Sequence, residues 1–79
     1  MKKYSISSAI DALLDNFIIL QKDIASVSGL YHIVIKEAEQ AVIKKIMVVT
    51  DRNKTKTAKI LGISRNTLDS KIKNLKIEI

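Results

Sequence analysis

The chain has 79 residues, a net charge of +6 and neither cysteine nor proline. This length allows one small domain, and the lack of cysteine excludes disulfide bonds, thiolate metal sites and cysteine nucleophiles. Because only two glycines and no proline interrupt the chain, the composition predicts an all-α protein.

The first predicted helix begins near Ser7 or Ser8, with Ser8 and Asp11 as a loose capping box. Its apolar residues recur in alternating steps of four and three, which is the spacing of a coiled-coil seam. These residues are Ile6, Ile10, Leu13, Phe17, Leu20 and Ile24. Acidic residues interrupt the apolar segment, so the sequence predicts neither a secretion signal nor a membrane span.

The second predicted helix follows a small-residue loop, begins at Ser28 or Gly29 and runs to about Val49. Its apolar residues cover roughly half of the helix circumference, more than one neighbouring helix needs. One interpretation is a monomer in which both helices enclose the C-terminal part. The seam and the broad apolar face favour instead a symmetric dimer with a four-helix core. The predicted interface comprises Ile10, Leu13, Phe17, Leu20, Val34, Ala38, Ala41 and Val42.

Residues 53–75 predict two short helices separated by Gly62. Asn53 is a suitable N-cap for the first helix, and Ser64 for the second. Gly62 accepts the left-handed conformation with which helices commonly end. The expected inward residues are Ala58, Ile60, Leu61, Ile63, Leu68, Ile72 and Leu75, and the expected outward residues are Arg65, Asn66, Thr67, Asp69, Ser70 and Lys73. This pattern is typical of a helix-turn-helix, with a generic αα-hairpin as the alternative.

Positive charge is concentrated in the same part of the chain. Residues 51–79 contain eight Lys or Arg against three acids, whereas residues 1–50 contain six Lys against five acids. This imbalance indicates an anionic partner. The predicted phosphate contacts are Lys54, Lys56, Lys59, Lys71, Lys73 and Lys76. Arg65 is the best candidate for contacting bases, because its guanidinium matches guanine in two hydrogen bonds, and Arg52 is expected to contact the DNA backbone.

The remaining polar residues do not form a catalytic or metal-binding pattern. His32 has no second histidine or cysteine to complete a metal site, and we expect an ordinary surface histidine. Glu37 and Glu39 lie on different faces of a helix, so they do not form an acid–base pair. Neither a phosphate loop nor a nucleophile motif is present. We therefore expect no enzyme, no cofactor, no metal and no small-molecule substrate.

Several short motifs match a known family. They are LY at 30–31, EAEQ at 37–40, Thr50 and Asn53 around a turn, and AKILGISRNTLDSKIK at 58–73. Through these motifs residues 30–75 resemble the C-terminal region of the Fis family of bacterial nucleoid proteins, a region shared with the DNA-binding domains of NtrC-type activators. The resemblance implies a single domain over residues 1–79, with dimerisation helices at about 6–49 and a helix-turn-helix at about 53–75.

The resemblance also implies a function. It predicts a cytoplasmic, nucleoid-associated homodimer that binds and bends double-stranded DNA at degenerate sites, in transcription regulation or nucleoid organisation. The DNA contacts of the family carry over to Asn53 and Thr55, which are expected to touch the backbone, and to Ser64, Arg65 and Thr67 on the recognition helix. Ser64 stands where Fis has asparagine, Asp69 where the family usually has a basic residue, and Ser70 where lysine is common.

Two alternatives remain at this stage. Besides the function above, the first alternative is the C-terminal DNA-binding and dimerisation domain of an NtrC-type activator. The second is a helical dimerisation module with weakened DNA binding, for which Asp69 is the evidence. Met1 favours a stand-alone protein. The five residues before Ile6 are too few for the mobile arm through which Fis engages recombinases, so that role is not expected. Since Arg65, Asp69 and Lys73 share one helix face, Asp69 is expected to pair with one of these cations.

Overall fold

The computed structural model describes residues 5–21 and 23–78, and helices are the only regular secondary structure in this part of the chain. Four α-helices follow one another: α1 (Ile6–Leu20), α2 (Leu30–Val49), α3 (Lys54–Leu61) and α4 (Arg65–Asn74). A short 3₁₀ helix, Ile24–Ser26, lies between α1 and α2. The predicted all-α class and the four helices are confirmed. Met1, on which the expectation of a stand-alone protein depends, lies outside the described residues.

The first helix differs from the prediction at both ends. Its N-cap is Ser5, whose Oγ accepts a hydrogen bond from the Ser8 N–H at 3.1 Å. The predicted cap at Ser7 or Ser8 is therefore wrong, and the capping box with Asp11 does not form, because the earlier start leaves Asp11 beyond the first turn. Since α1 ends at Leu20, Ile24 belongs to the 3₁₀ helix and does not extend the seam.

The core lies between α2 and the α3–α4 pair. Its buried apolar residues are Ile43, Met47, Ala58, Leu68 and Ile77, with half-buried Leu61, Ile63, Ile72 and Leu75 packed against them. The inward positions predicted for α4 and its C-terminal end are thus confirmed. Ile60 was expected to face inward but is 58% exposed, so that prediction is wrong. The other two inward positions predicted on α3, Ala58 and Leu61, do pack in the core.

Three polar contacts fix α2 against the last two helices. The hydroxyl of Thr57 is buried and lies 2.7 Å from the hydroxyl of Thr50, the C-cap of α2. Glu39 forms an ion pair with Lys71 at 2.7 Å. The amide nitrogen of Gln40 donates to the Leu75 carbonyl at 3.0 Å. A buried hydroxyl needs such a partner, since leaving it unsatisfied costs about 1–3 kcal/mol.

Two turns contain non-glycine residues whose φ angles lie in the left-handed region. Asp51 and Arg52 have φ angles of 55° and 64°, and the Arg52 N–H donates to the Met47 carbonyl at 2.7 Å, which closes the end of α2. Lys76 has a φ of 54°, and the Ile77 N–H donates to the Ile72 carbonyl at 3.0 Å. This Schellman-type ending turns Ile77 back into the core.

The first helix contributes nothing to this core, since none of its residues is buried. The eight residues predicted for a dimer interface are all exposed or half-buried in the single chain. On α2, Ile43 and Met47 face the helix-turn-helix, whereas Val34, Ala38 and Ala41 lie on the opposite side. No helix within residues 5–21 and 23–78 is long and apolar enough to cross a membrane.

Candidate nucleic-acid interface

Both ends of α3 are capped by the residues that the sequence predicted. The Asn53 side chain caps α3 by accepting from the Lys56 N–H at 2.9 Å. Gly62 ends α3 with a φ of 77°, and its N–H donates to the Ala58 carbonyl at 2.9 Å. The Ile63 N–H reaches the same carbonyl at 3.0 Å, which brings the Ile63 side chain against the core. The break at Gly62 therefore sets the angle at which α4 leaves α3.

The beginning of α4 is both capped and exposed. Ser64 Oγ accepts from the Thr67 N–H at 3.0 Å and donates to Thr67 Oγ1 at 2.9 Å. Buried Leu68 anchors the opposite side of the helix. Side chains that project outward from the helix and its cap are those of Ser64, Arg65, Asn66, Thr67, Ser70 and Lys73, all of them exposed. The free N–H groups of a helix N-terminus carry partial positive charge, so this end of α4 attracts anions.

Cations from both helices meet one acid at the α3–α4 junction. Lys54 Nζ lies 3.1 Å from Asp69 Oδ1, and Arg65 Nε lies 4.0 Å from Asp69 Oδ2. The Arg65 guanidinium also donates to Thr55 Oγ1 at 3.2 Å. Asp69 Oδ1 is shielded from solvent and makes no aligned hydrogen bond, so its contact with Lys54 is a charge contact that offsets the lost hydration.

The pairing of Asp69 was only partly predicted. Arg65 is a partner, as expected from their spacing on α4, but the nearer partner is Lys54 on α3. Spacing along α4 indicates partners within that helix, whereas the Lys54–Asp69 contact joins two helices. A helical projection of α4 centred on the buried residues Leu68 and Ile72 places Asp69 on the side of the helix next to α3. This position is the feature of the sequence that could have indicated the contact with Lys54.

The predicted phosphate contacts do not all occupy equivalent places. Thr55, Lys56, Lys59, Lys73 and Lys76 are exposed, and Lys54 is half-buried beside Asp69. Lys71 points towards α2, where Glu39 holds it at 2.7 Å. The structure therefore brings Asn53, Lys54, Thr55 and Arg65 together at one junction and directs Lys71 to the other side of α4. Among the residues that the structure describes, no group of His, Asp and Glu is arranged to hold a metal ion.

Comparison with known proteins agrees with this geometry. The family model described as "Bacterial regulatory protein, Fis family" matches residues 34–75. The chain is 35% identical over 74 residues to the DNA-binding transcriptional regulator NtrC of Azospirillum brasilense, covering 94% of this chain and 15% of that protein. It is 40% identical over 60 residues to the DNA-binding protein Fis of Buchnera aphidicola, covering 76% of this chain and 61% of that protein. It is 37% identical over 68 residues to the Fis protein of Vibrio atlanticus, covering 86% and 68%.

Proposed function

Because the chain belongs to the Fis family of bacterial regulatory proteins, we propose that it binds and bends double-stranded DNA as a homodimer, in transcription regulation or nucleoid organisation. The observation that carries this proposal is the exposed N-terminal half of α4, which the Gly62 turn and the Ser64 cap hold clear of the core. In a helix-turn-helix, this part of the second helix enters the major groove. DNA bending and a place on the nucleoid are inferred from the family resemblance.

The roles of the individual residues follow from their chemistry and position. Arg65 contacts bases, since its guanidinium lies at the first position of α4 and pairs with guanine in two hydrogen bonds. Asn53 and Thr55 contact the sugar–phosphate backbone beside α3, with Lys56 supplying charge there. Ser64, Asn66 and Thr67 lie at the same end of α4, where they fix its position in the groove.

Lys71 and Lys73 are expected to contribute differently to DNA binding. Lys73 is exposed on the outer face of α4 and is a phosphate contact in this proposal. Lys71 is half-buried against Glu39, so a phosphate contact there requires that its ion pair be broken or shared. We therefore assign Lys71 a smaller part in DNA binding than the sequence predicted and a larger part in fixing α4 on α2.

The homodimer is supported by the surface area that the single chain leaves uncovered. Its accessible surface is 6718 Å², whereas a folded monomer of this mass exposes about 4,800 Å². The excess of roughly 1,900 Å² per chain corresponds to the size of an obligate dimer interface. The radius of gyration is 15.1 Å, whereas a compact domain of this length has about 12 Å. A second copy covering α1 and the outer face of α2 accounts for both differences.

A second candidate function is that of a DNA-binding and dimerisation domain at the end of an NtrC-type activator. The specific observation in its favour is that the match covers 94% of this chain but only 15% of the A. brasilense regulator. The size of the polypeptide that an antibody against this domain detects in its native cell separates the two. A band near 8.8 kDa indicates a Fis-like protein, and a much larger band indicates an activator.

The proposal is tested by titrating duplex DNA of random sequence with the protein at several salt concentrations. If the dimer neutralises about six to eight phosphates, log K falls with log[salt] with a slope of about −5 to −7. No binding to any duplex at low salt contradicts the proposal. That result favours the remaining alternative, a helical dimerisation module with weakened DNA binding.

A pair of variants separates base contacts from phosphate contacts. Arg65→Ala is expected to weaken binding to a preferred site by about 1–3 kcal/mol while sparing random DNA, because a base contact adds affinity only at its own sequence. Lys73→Ala removes one exposed charge from the same helix and is expected to weaken both DNAs alike. Preferred sites are obtained by selection from a random pool. Equal losses on all sequences for Arg65→Ala show that Arg65 does not contact bases.

A further inference from the structure

Asp69 is the one acid on α4, and it lies between Lys54, a predicted phosphate contact, and Arg65, the proposed base contact. We propose that Asp69 is a specificity-determining residue that holds Lys54 and Arg65 back from phosphates and so weakens binding to DNA of arbitrary sequence. This inference rests on the proposed function. Its basis is the network that Asp69 forms across the α3–α4 junction.

The contact with Lys54 is the stronger part of this network. Lys54 is the first residue of α3, and its ammonium lies 3.1 Å from Asp69 Oδ1, an atom shielded from solvent. The Lys54 side chain is 35% exposed, whereas Lys56 and Lys59 on the same helix extend into solvent. A lysine side chain is a flexible stem that normally follows a phosphate as a mobile point charge. Among the three lysines of α3, the ion pair removes this mobility from Lys54 alone.

The Arg65 side chain is restrained by two contacts, one with α3 and one within α4. Its guanidinium donates to Thr55 Oγ1 at 3.2 Å, and its Nε lies 4.0 Å from Asp69 Oδ2. These contacts from two sides restrict the guanidinium to a small set of orientations before DNA arrives. Preorganisation of this kind lowers the conformational entropy lost when a base contact forms. Preorganisation of Arg65 therefore strengthens binding to DNA sequences that offer the base contact and contributes little to binding of other sequences.

The carboxylate also acts directly on DNA. Binding to arbitrary sequence depends on neutralising phosphates, and each neutralised phosphate adds roughly 0.9 to the salt slope. Asp69 neutralises Lys54 internally and places a negative charge beside a phosphate-lined groove, and both effects weaken this sequence-independent binding. At a preferred site, base contacts offset this loss of phosphate binding. A residue that weakens the wrong complex more than the right one raises specificity.

The test compares wild type with Asp69→Asn, which keeps the size of the side chain and removes its charge. Two duplexes are used, one of random sequence and one selected from a random pool for tight binding to the wild type. The variant is expected to bind random DNA about tenfold more tightly at low salt, with a slope steeper by roughly 0.9 per protomer, because Lys54 then reaches a phosphate. Affinity for the selected duplex is expected to rise less than threefold, or about 0.65 kcal/mol.

Two further variants control for charge. Asp51→Asn removes the same charge from the α2–α3 turn, where Asp51 is not an ion-pair partner of Lys54, and is expected to change binding to random DNA less than twofold. In a Lys54→Met background, Asp69→Asn is expected to lose most of its effect on random DNA. If the gain persists undiminished without Lys54, or if Asp51→Asn produces the same gain, the effect is a general one of net charge and the inference is wrong.

Two other outcomes also decide the question. If Asp69→Asn loses affinity only for duplexes with cytosine at one fixed position, Asp69 accepts a hydrogen bond from the cytosine amine and is a direct base contact, not a restraint. If selection yields no duplex that the wild type binds and random DNA is not bound either, while the circular dichroism spectrum shows folded helices, the proposed function fails and this inference fails with it. The earlier outcomes overturn the inference alone and leave DNA binding intact.

Discussion

Leu13 and Ile19 offer a matched pair of substitutions that tests the proposed dimer. Both side chains are exposed in the single chain, 67% for Leu13 and 78% for Ile19, and both lie on α1. Leu13 belongs to the predicted seam, whereas Ile19 lies about 140° around the helix from the mean direction of that seam. Because neither contributes to the core of one protomer, Leu13→Asp and Ile19→Asp are expected to differ mainly through the partner chain.

The magnitude follows from burial and symmetry. Complete burial of a leucine side chain is worth about 1.5–3 kcal/mol, so covering the exposed part of Leu13 is worth about 1–2 kcal/mol per protomer. A twofold interface loses this twice, and each aspartate also brings an unpaired charge into a dry seam at several kcal/mol. Leu13→Asp is therefore expected to cost at least about 5 kcal/mol per dimer, which raises the dimer Kd more than about a thousandfold.

Sedimentation at micromolar protomer concentration is the assay, with circular dichroism to confirm that the helices remain. Wild type and Ile19→Asp are expected to sediment as dimers and Leu13→Asp as a monomer. An acid near the C-terminal end of α1 costs Ile19→Asp at most about 1 kcal/mol through the helix dipole. A compact wild-type monomer refutes the dimer. Equal dissociation of both variants shows that the seam does not form the interface.

Three stability predictions concern the helix-turn-helix, each measured by denaturant unfolding at one fixed protomer concentration. Leu68→Ala is expected to cost about 3–5 kcal/mol, because Leu68 is fully buried; a loss below 1 kcal/mol contradicts this packing. Gly62→Ala is expected to lower the free energy of unfolding by about 1 kcal/mol through backbone strain alone, since a Cβ there meets no atom within 4 Å. Lys76 has a similar positive φ, so Lys76→Gly is expected to raise the free energy of unfolding by about 0.5–1 kcal/mol. Thr57→Val is expected to cost about 1–2 kcal/mol through the lost bond to Thr50, and no change refutes that role.

The helix-turn-helix could be predicted in detail because its signals are local. Asn53, Gly62 and Ser64 occupy cap positions whose side-chain or backbone chemistry is specific to helix ends, and each was assigned correctly. The start of α1 was harder because three serines, Ser5, Ser7 and Ser8, compete for the same role. The choice of Ser5 depends on which N–H group each hydroxyl reaches, and residue type alone does not reveal this.

Contacts between helices were less predictable. The apolar arc of α2 was expected to lie largely in an interface, but Ile43 and Met47, which seat α2 on α3 and α4, were not singled out. Periodicity shows that a helix has a broad apolar surface without showing which part meets which neighbour. The same limitation hid the Lys54–Asp69 contact, because spacing along one helix says nothing about a side chain on the next.

The position of α2 between two sets of contacts has a consequence for DNA recognition. One side of this helix carries Ile43 and Met47, and its Glu39 and Gln40 hold the C-terminal half of α4. The other side carries the apolar residues proposed to meet the partner chain. Because a tight turn closed by hydrogen bonds joins α2 to α3, no flexible linker separates dimer contacts from DNA contacts. In the proposed dimer, the distance between the two α4 helices is therefore set by how two α2 helices pack. The spacing of DNA half-sites then depends on residues that never touch DNA.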